Sequence, residues 1–193
     1  MIPFAKGIVI GREDSKLMPQ SPLKTLRVRA SSGSRSRGLL TAGPQTWPVA
    51  LGRGGILADK REGDGATPRG RFRLVRLWWN PERGPRPATR LPVRRVAPDD
   101  AWCEDPADRR YNRPIKTATD GAGDRLRRAD HLYDLIIEID HNARPRIARR
   151  GSAVFIHLAR PGLAPTAGCV TMPKSRLRQL LGRVGADTRI IIG

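Results

Sequence analysis

Residues 153–172, AVFIHLARPGLAPTAGCVTM, carry the pattern that says most about the fold of this chain. The stretch opens with an apolar run, Ala153–Leu158, that is typical of a buried β-strand. Residues 160–165, rich in Pro and Gly, then predict a turn. The turn brings Cys169 back toward His157, only 12 residues earlier in the chain. We therefore expect a thiol and an imidazole side by side at the end of a strand.

Outside this stretch, short strand-like runs alternate with turn residues along the chain. Leu26 and Val28 alternate with Arg27 and Arg29, which is the period of a half-buried strand. The cluster Ser31–Gly38 predicts a turn, and 20 Gly and 17 Pro predict many more. Further strands are predicted at residues 39–40, 47–51, 71–79, 132–139 and 189–192. The fold class is mainly β, a single-domain sandwich or barrel with one or two helices.

One helix is predicted directly after Pro173, which suits the first helical position. Leu177, Leu180, Leu181 and Val184 follow at a spacing that places them on one helix face. Residues 80–130 are polar and rich in Pro, and they predict a long loop that is either functional or partly disordered. Residues 1–24 read as an irregular lead-in, and residues 25–193 as the folded domain.

The net charge of +19, from 37 Lys and Arg against 18 Asp and Glu, predicts attraction to polyanions. The basic residues are scattered, without zinc-finger, leucine-zipper or RNA-recognition patterns. Charge alone leaves nucleic acid and other polyanions, such as cell-wall polymers and lipid head groups, about equally open as partners. No apolar run reaches 18 residues, so no membrane span is predicted. Residues 1–16 make a poor secretory signal, which leaves the export route open.

The chemistry of the chain is predicted to centre on Cys169 and His157. A thiol becomes a strong nucleophile when a neighbouring imidazole takes its proton. Gly168 lets the backbone approach a substrate, and amides around it are positioned to face an oxyanion. No His or Cys spacing indicates a metal, and no phosphate-binding loop indicates a cofactor, so neither is expected. The alternative is a small core cysteine and a structurally satisfied histidine.

Two sequence blocks resemble the L,D-transpeptidase family of YkuD type. The first, His157–Met172, is similar to the catalytic signature with its His and its Gly-Cys pair. The second, KREGDGATPRGRF at Lys60–Phe72, resembles the family's conserved segment before it. Ala167 and Thr171 depart from the common signature, which commonly has a second His and an Arg or Asn there. The resemblance covers residues 25–193 and is that of a divergent proteobacterial branch.

This resemblance implies a β-sandwich or barrel of the L,D-transpeptidase catalytic type and a periplasmic enzyme of cell wall biogenesis and cell shape. The partners that it implies are peptidoglycan stem peptides and the anionic cell envelope, and no nucleic acid is expected. Cys169 would attack a peptidoglycan stem peptide to form a thioester, with His157 as base and then acid. The amides of Gly168 and Cys169 would form the oxyanion hole. The cross-link is either 1-3, from L-Ala to diaminopimelate, or 3-3. Two alternatives stay open, an L,D-carboxypeptidase or endopeptidase using the same thioester and a non-catalytic basic polyanion-binding module.

Six further residues are candidates for substrate binding. Arg113 carries a guanidinium suited to a bidentate clamp on a carboxylate, whereas Asn112 equally fits a tight turn. Cys103 is interpreted as packing or as a wall of the site, and Lys60–Gly70 as a structural hairpin beneath it. The candidate substrate-binding residues are Tyr111, Asn112, Arg113, Tyr133, Thr166 and Thr171.

Overall fold

The computed structural model describes residues 21–117 and 123–193, and their strands are short, as the Gly and Pro content leads one to expect. The strands are β1 (Thr25–Ser31), β2 (Ser34–Ala42), β3 (Gln45–Ala50), β4 (Ile56–Leu57), β5 (Thr67–Pro68), β6 (Gly70–Trp79), β7 (Val93–Arg95), β8 (Asp100–Trp102), β9 (Pro114–Lys116), β10 (Asp124–Arg125), β11 (Leu135–Ile139), β12 (Phe155–Leu158), β13 (Val170–Met172) and β14 (Arg189–Ile192). The helix α1 spans Lys174–Leu181, and single 3-10 turns span Pro81–Arg83 and Pro161–Leu163.

Eight of these strands pair side by side in a closed ring. Their order is β11, β12, β13, β3, β2, β1, β14 and β6, and β6 pairs again with β11 to close the barrel. β7 adds to β6 in parallel. A separate three-stranded sheet has the order β10, β8, β9, and β4 pairs with β5 in parallel. The prediction of a mainly β barrel or sandwich with a helix is therefore confirmed.

Alternation along the strands sorts the side chains between the inside and the outside of the barrel. Leu26 and Val28 of β1 and Leu40 of β2 are fully buried in the interior cluster. Arg27 and Arg29, which alternate with the two buried residues of β1, are exposed. Leucines of α1 complete this cluster, namely Leu177, Leu180 and Leu181. The predicted amphipathic helix face is thereby confirmed, since its leucines cover the barrel core.

A second apolar cluster lies on the outer wall of β6, β11 and β12. It contains Trp78, Ile136 and Phe155, one from each strand, and Trp102 of β8 packs edge-on against Phe155 with ring centroids 4.9 Å apart. Cys169 belongs to this cluster. The small sheet of β8, β9 and β10 thus covers the outer wall beside the thiol.

Two predicted boundaries on the strands are wrong. The turn expected at Ser31–Gly38 is limited to residues 32–33, because β2 begins at Ser34 and pairs with β1 from there to Ala42, with a register shift between Ala30 and Ser31. Its arginines alternate toward solvent, so the polar composition reflects an outward face and not a turn. The strand predicted from Leu132 begins at Leu135, since residues 132–134 form a turn leading into it.

The predictions for the helix start and for the long loop also need correction. Pro173 is the residue before the helix, which begins at Lys174 and ends at Leu181. Val184 lies beyond the helix and is still fully buried. Residues 80–130 hold β7 to β10 instead of one structureless loop, because aperiodic apolar residues such as Trp102 and Leu126 anchor them on the outer wall. Of the predicted lead-in at residues 1–24, residues 1–20 lie outside the described part of the chain.

Candidate active site

The thiol of Cys169 is held at the start of β13, next to the start of β12. These two strands pair in parallel, with Ile156 opposite Val170. Cys169 Sγ accepts a hydrogen bond from the amide of Phe155 at 3.3 Å and donates one to the carbonyl of Ala153 at 3.2 Å. The sulfur therefore has a defined position against the neighbouring strand.

The turn before the thiol is organised by the Thr166 hydroxyl. Thr166 Oγ1 donates to the carbonyl of Cys169 at 2.7 Å and accepts from the amide of Gly168 at 3.1 Å. Gly168 has a φ of +153°, and a Cβ at this position would lie 2.9 Å from the carbonyl oxygen of Ala66. Only glycine fits here without strain, and its amide is already engaged by the hydroxyl.

His157 lies on β12 two residues after Phe155, on the same outer face of the barrel. Its Nδ1 lies 3.0 Å from the carbonyl of Leu158, which assigns the ring proton to Nδ1 and leaves Nε2 as the basic nitrogen. The ring of Tyr133 packs edge-on against the imidazole, with centroids 4.9 Å apart. Thr171 is the partner of His157 in the parallel pairing of β12 with β13.

Burial keeps both reactive groups uncharged at rest. Loss of solvent lowers the pKa of His157 to about 4 and raises the pKa of Cys169 to about 12. A thiolate–imidazolium pair is therefore not the resting form. The thiol donates to the Ala153 carbonyl, and transfer of its proton has to accompany the chemical step.

One cavity of about 280 Å³ opens over these groups. Its walls include Cys169 and His157, and also Gly168, Thr166, Thr171 and Tyr133 from the sequence predictions. Thr171 is 1 % exposed, and its hydroxyl has no hydrogen-bond partner among the residues that the structure describes. The structure thus brings six predicted site residues together around one space.

The other three predicted residues lie outside the lining of this cavity. Tyr111 is buried and donates its hydroxyl proton to the carboxylate of Glu62, which does line the cavity. The amide of Asn112 is engaged within the protein, with its oxygen accepting from Trp102 Nε1 at 2.9 Å. Arg113 is exposed, and its carbonyl accepts from the amide of Cys103. Contact of these three residues with substrate stays a prediction.

Sequence reasoning missed several charged residues in the cavity wall. Lys60 is buried, and its ammonium donates to Asp64 at 2.6 Å, while Glu62 faces the cavity. The interpretation of Lys60–Gly70 as a hairpin beneath the site is wrong, because β4 and β5 pair in parallel and the block forms part of the wall. The similarity of this block to the family segment was the signal that pointed to it.

The covering sheet adds a second set of missed residues. Tyr133 donates its hydroxyl proton to Asp124 at 2.5 Å, and Arg128 pairs with the same carboxylate at 3.1 Å. Glu104 is also in the wall, where desolvation, together with the charges of Asp124 and Glu62, raises its pKa to about 7. Since the Glu104 residue as a whole is exposed, solvent weakens this effect. The cavity consequently combines carboxylates with guanidinium and ammonium groups.

Residues 21–117 and 123–193 contain neither a metal-binding cluster nor a helix suited to span a membrane. No group of three or more His, Cys, Asp or Glu side chains is arranged to hold a metal ion there. Within the same ranges, no helix is both long and apolar enough to cross a membrane.

Comparison with known proteins assigns the chain to a family. The family model of the YkuD L,D-transpeptidase catalytic domain matches residues 40–192, which is most of the chain. The chain therefore belongs to the L,D-transpeptidase catalytic-domain family, as its two sequence blocks predicted.

Solved structures and curated proteins add little to this assignment. A similar solved structure is L,D-transpeptidase 3 from Mycobacterium tuberculosis, in complex with a faropenem-derived adduct. It is 13 % identical, with a TM-score of 0.40, and the match covers 86 % of this chain and 59 % of that one. This chain thus spans about three fifths of the length of that protein. No curated protein matches the chain.

Proposed function

We propose that the protein is a peptidoglycan L,D-transpeptidase that works through a thioester on Cys169. The observation that carries the proposal is the placement of Cys169 and His157 in the wall of one cavity, on paired strands. A core cysteine with only a packing role has no need to line a cavity that an imidazole also lines.

In the first half-reaction, Cys169 Sγ attacks a carbonyl carbon of the donor stem peptide. His157 Nε2 takes the thiol proton as the sulfur–carbon bond forms, because the resting pair is uncharged. The tetrahedral intermediate then collapses, and His157 returns the proton to the leaving amine. The products are a thioester on Cys169 and a released amine.

The oxyanion of that intermediate requires a backbone donor close to the sulfur. The Gly168 amide already donates to Thr166 Oγ1, so we assign the main role to the amide of Cys169 itself. The glycine then serves to hold the turn in the conformation that presents this amide.

In the second half-reaction, an amine of a second stem peptide attacks the thioester carbonyl. His157 removes the amine proton and delivers it to the departing sulfur, which restores the thiol and forms the cross-link. Water in place of the amine yields an L,D-carboxypeptidase or endopeptidase. The same thioester serves both outcomes, and access of the acceptor decides between them.

The cavity wall fits the charges of a stem peptide, which carries both amines and carboxylates. Glu62, Glu104 and Asp124 offer carboxylates, whereas Arg53 and Arg160 offer guanidinium groups. In addition, Thr171, Thr166 and Tyr133 line the space. We assign substrate contact first to the Thr171 hydroxyl, because it is buried beside His157 and has no hydrogen-bond partner in the described part of the chain.

The test compares the two cysteines of the chain as matched variants. Cys169→Ala is expected to abolish every muropeptide product, while Cys103→Ala, which removes a buried thiol outside the cavity lining, retains activity. Mass spectrometry of muropeptide dimers separates 1-3 from 3-3 cross-links, and trimmed monomers indicate hydrolysis. Unchanged products from Cys169→Ala would refute the mechanism. DNA binding retained in that variant, in the absence of any product, would favour the non-catalytic basic module.

The proposed substrate places the site of action outside the cytoplasm, in the periplasm, where the basic chain meets an anionic envelope. Fractionation of cells that produce the tagged full chain checks this location. Recovery of the protein in the cytoplasmic fraction alone would contradict the cell-wall function.

A further inference from the structure

A basic face covers the outer wall of the barrel on three adjacent strands, β1, β14 and β6. Outward positions of these strands carry five arginines, and four of them are exposed while Arg189 is half-buried. We call this set the arginine face, and it consists of Arg27, Arg29, Arg71, Arg73 and Arg189.

Strand pairing places these arginines side by side. Arg27 pairs with Ile191, and Ile191 pairs with Arg71 on the next strand. Two residues away on the same strands, Arg189 pairs with Arg73. Neighbouring strands lie about 4.8 Å apart, so Arg27 and Arg71 stand about 10 Å apart across the wall. The charges therefore form a two-dimensional array and not a single line.

Among residues 21–117 and 123–193, no guanidinium of the arginine face forms a salt bridge, whereas Arg94 and Arg128 elsewhere pair with Asp100 and Asp124. The carboxylate of Asp140 accepts a hydrogen bond from the backbone amide of Arg73 at 2.7 Å and not from its guanidinium. Within the same ranges, the Arg189 guanidinium donates to the backbone carbonyls of Ala186 and Thr188. Unpaired guanidinium groups at this density attract an external anion, and their planar forks match phosphate groups.

Apolar side chains lie among the arginines. Leu39 of β2 is 46 % exposed and stands opposite Arg29 in the strand pairing. The half-buried Ile191 lies between Arg27 and Arg71. A mixture of cations with exposed aliphatic groups is the composition that binds the headgroup region of an anionic bilayer.

The arginine face is centred on β14, which is not a neighbour of the strands that carry the candidate active site. In the closed ring of eight strands, β14 is three strands away from β12 through β6 and β11 and five strands away through β1. A surface bound to β1 and β14 therefore does not cover β12 or the cavity over Cys169. Binding at this face is compatible with access of a polymeric substrate to the thiol.

From these observations we infer that the arginine face docks on the surface of an anionic phospholipid bilayer. The array is two-dimensional and lies on a barrel wall, so it fits a layer of headgroup phosphates better than one linear polyanion. The inference depends on the outer wall of β1, β14 and β6 and not on the proposed activity.

The experiment measures co-sedimentation of the full chain with vesicles of phosphatidylglycerol and phosphatidylcholine, and with phosphatidylcholine alone. The variant combines Arg27→Gln, Arg29→Gln and Arg71→Gln. Its control combines Arg86→Gln, Arg109→Gln and Arg176→Gln, which remove the same charge at exposed positions elsewhere. Each arginine near an anionic surface contributes about fivefold in affinity, so the face variant is expected to bind about 100-fold more weakly.

The expected pattern is wild-type binding to anionic vesicles only, weakened by salt, with the control variant close to wild type. Equal loss in both triple variants, equal binding to neutral vesicles, or binding to duplex DNA without vesicle binding would overturn the inference. Unchanged melting temperatures show that both variants are folded. Activity on soluble muropeptides is expected to survive in the face variant, so failure of docking and failure of the proposed enzyme activity are distinguishable.

Discussion

Replacement of Asn112 by Ala tests whether this residue supports the fold of the site or binds substrate. Its Oδ1 accepts from Trp102 Nε1 at 2.9 Å and from the amide of Ala153 at 3.2 Å. Its Nδ2 donates to the carbonyls of His141 and Asn142 at 3.0 and 2.9 Å. Because Ala153 also accepts from the thiol, Asn112 connects the covering sheet to the residue that positions Cys169.

The magnitude follows from the groups that lose their partner. Asn112→Ala leaves two donors and two carbonyls unsatisfied in a buried region, and each such group costs about 1–3 kcal/mol unless water replaces the side chain. Asn112 also has a φ of +53°, which disfavours Ala by about 1 kcal/mol. With partial repair by water, the free energy of unfolding should fall by about 3 kcal/mol. For a domain of this size that corresponds to about 6–12 °C in melting temperature.

Thermal unfolding followed by circular dichroism measures this change. Arg113→Ala is the matched control, because that neighbouring side chain is exposed, and its unfolding free energy should stay within about 0.5 kcal/mol of wild type. A melting temperature of Asn112→Ala within ~2 °C of wild type, combined with a raised KM for stem peptide, would refute the structural role. The alternative of substrate contact would then hold.

Three further predictions concern the reactive groups. The pKa of His157 is lowered to about 4 in the folded chain, so between pH 7 and pH 5 the imidazole takes up a proton mainly in the unfolded chain. The free energy of unfolding should therefore fall by about 2 kcal/mol as the pH drops from 7 to 5. Denaturant unfolding checks this, and His157→Gln should remove that part of the slope. Alkylation of Cys169 by iodoacetamide, measured in a Cys103→Ala background, should still accelerate above pH 9, because burial raises the pKa of its thiol to about 12. A plateau at neutral pH would instead reveal a thiolate–imidazolium pair. Thr171→Val should leave the free energy of unfolding unchanged or about 1 kcal/mol higher, since the hydroxyl has no hydrogen-bond partner among the described residues. The same variant should raise KM or lower kcat, and Thr171→Ser should restore both. Unchanged kinetics in Thr171→Val would contradict the proposed substrate contact.

Features encoded locally could be predicted from the sequence. Leu26 and Val28 alternate with arginines, and a period of two places the apolar residues inside any sheet. The leucines of α1 follow the helical period for the same reason. Cys169 and His157 are close in the chain and separated by a turn, so their proximity needed no long-range contact.

Features that depend on distant segments could not be predicted. From the sequence, Asn112 is equally compatible with a tight turn and with substrate binding, because only the folded chain places its amide between Trp102 and Ala153. The strands of residues 80–130 carry no clear period, since their apolar residues pack on an outer wall built from other parts of the chain. The strand boundary at Ser34 was missed because outward-facing polar residues have the composition of a turn.

The sequence by itself predicted the family, many of the barrel strands and the placement of Cys169 and His157 at one site, because each prediction rests on residues near one another in the chain. Tertiary structure alone decided that Glu62, Glu104 and Asp124 share the cavity with Cys169. It also decided that the thiol and the imidazole rest uncharged, since a pKa depends on how far folding removes water from the group.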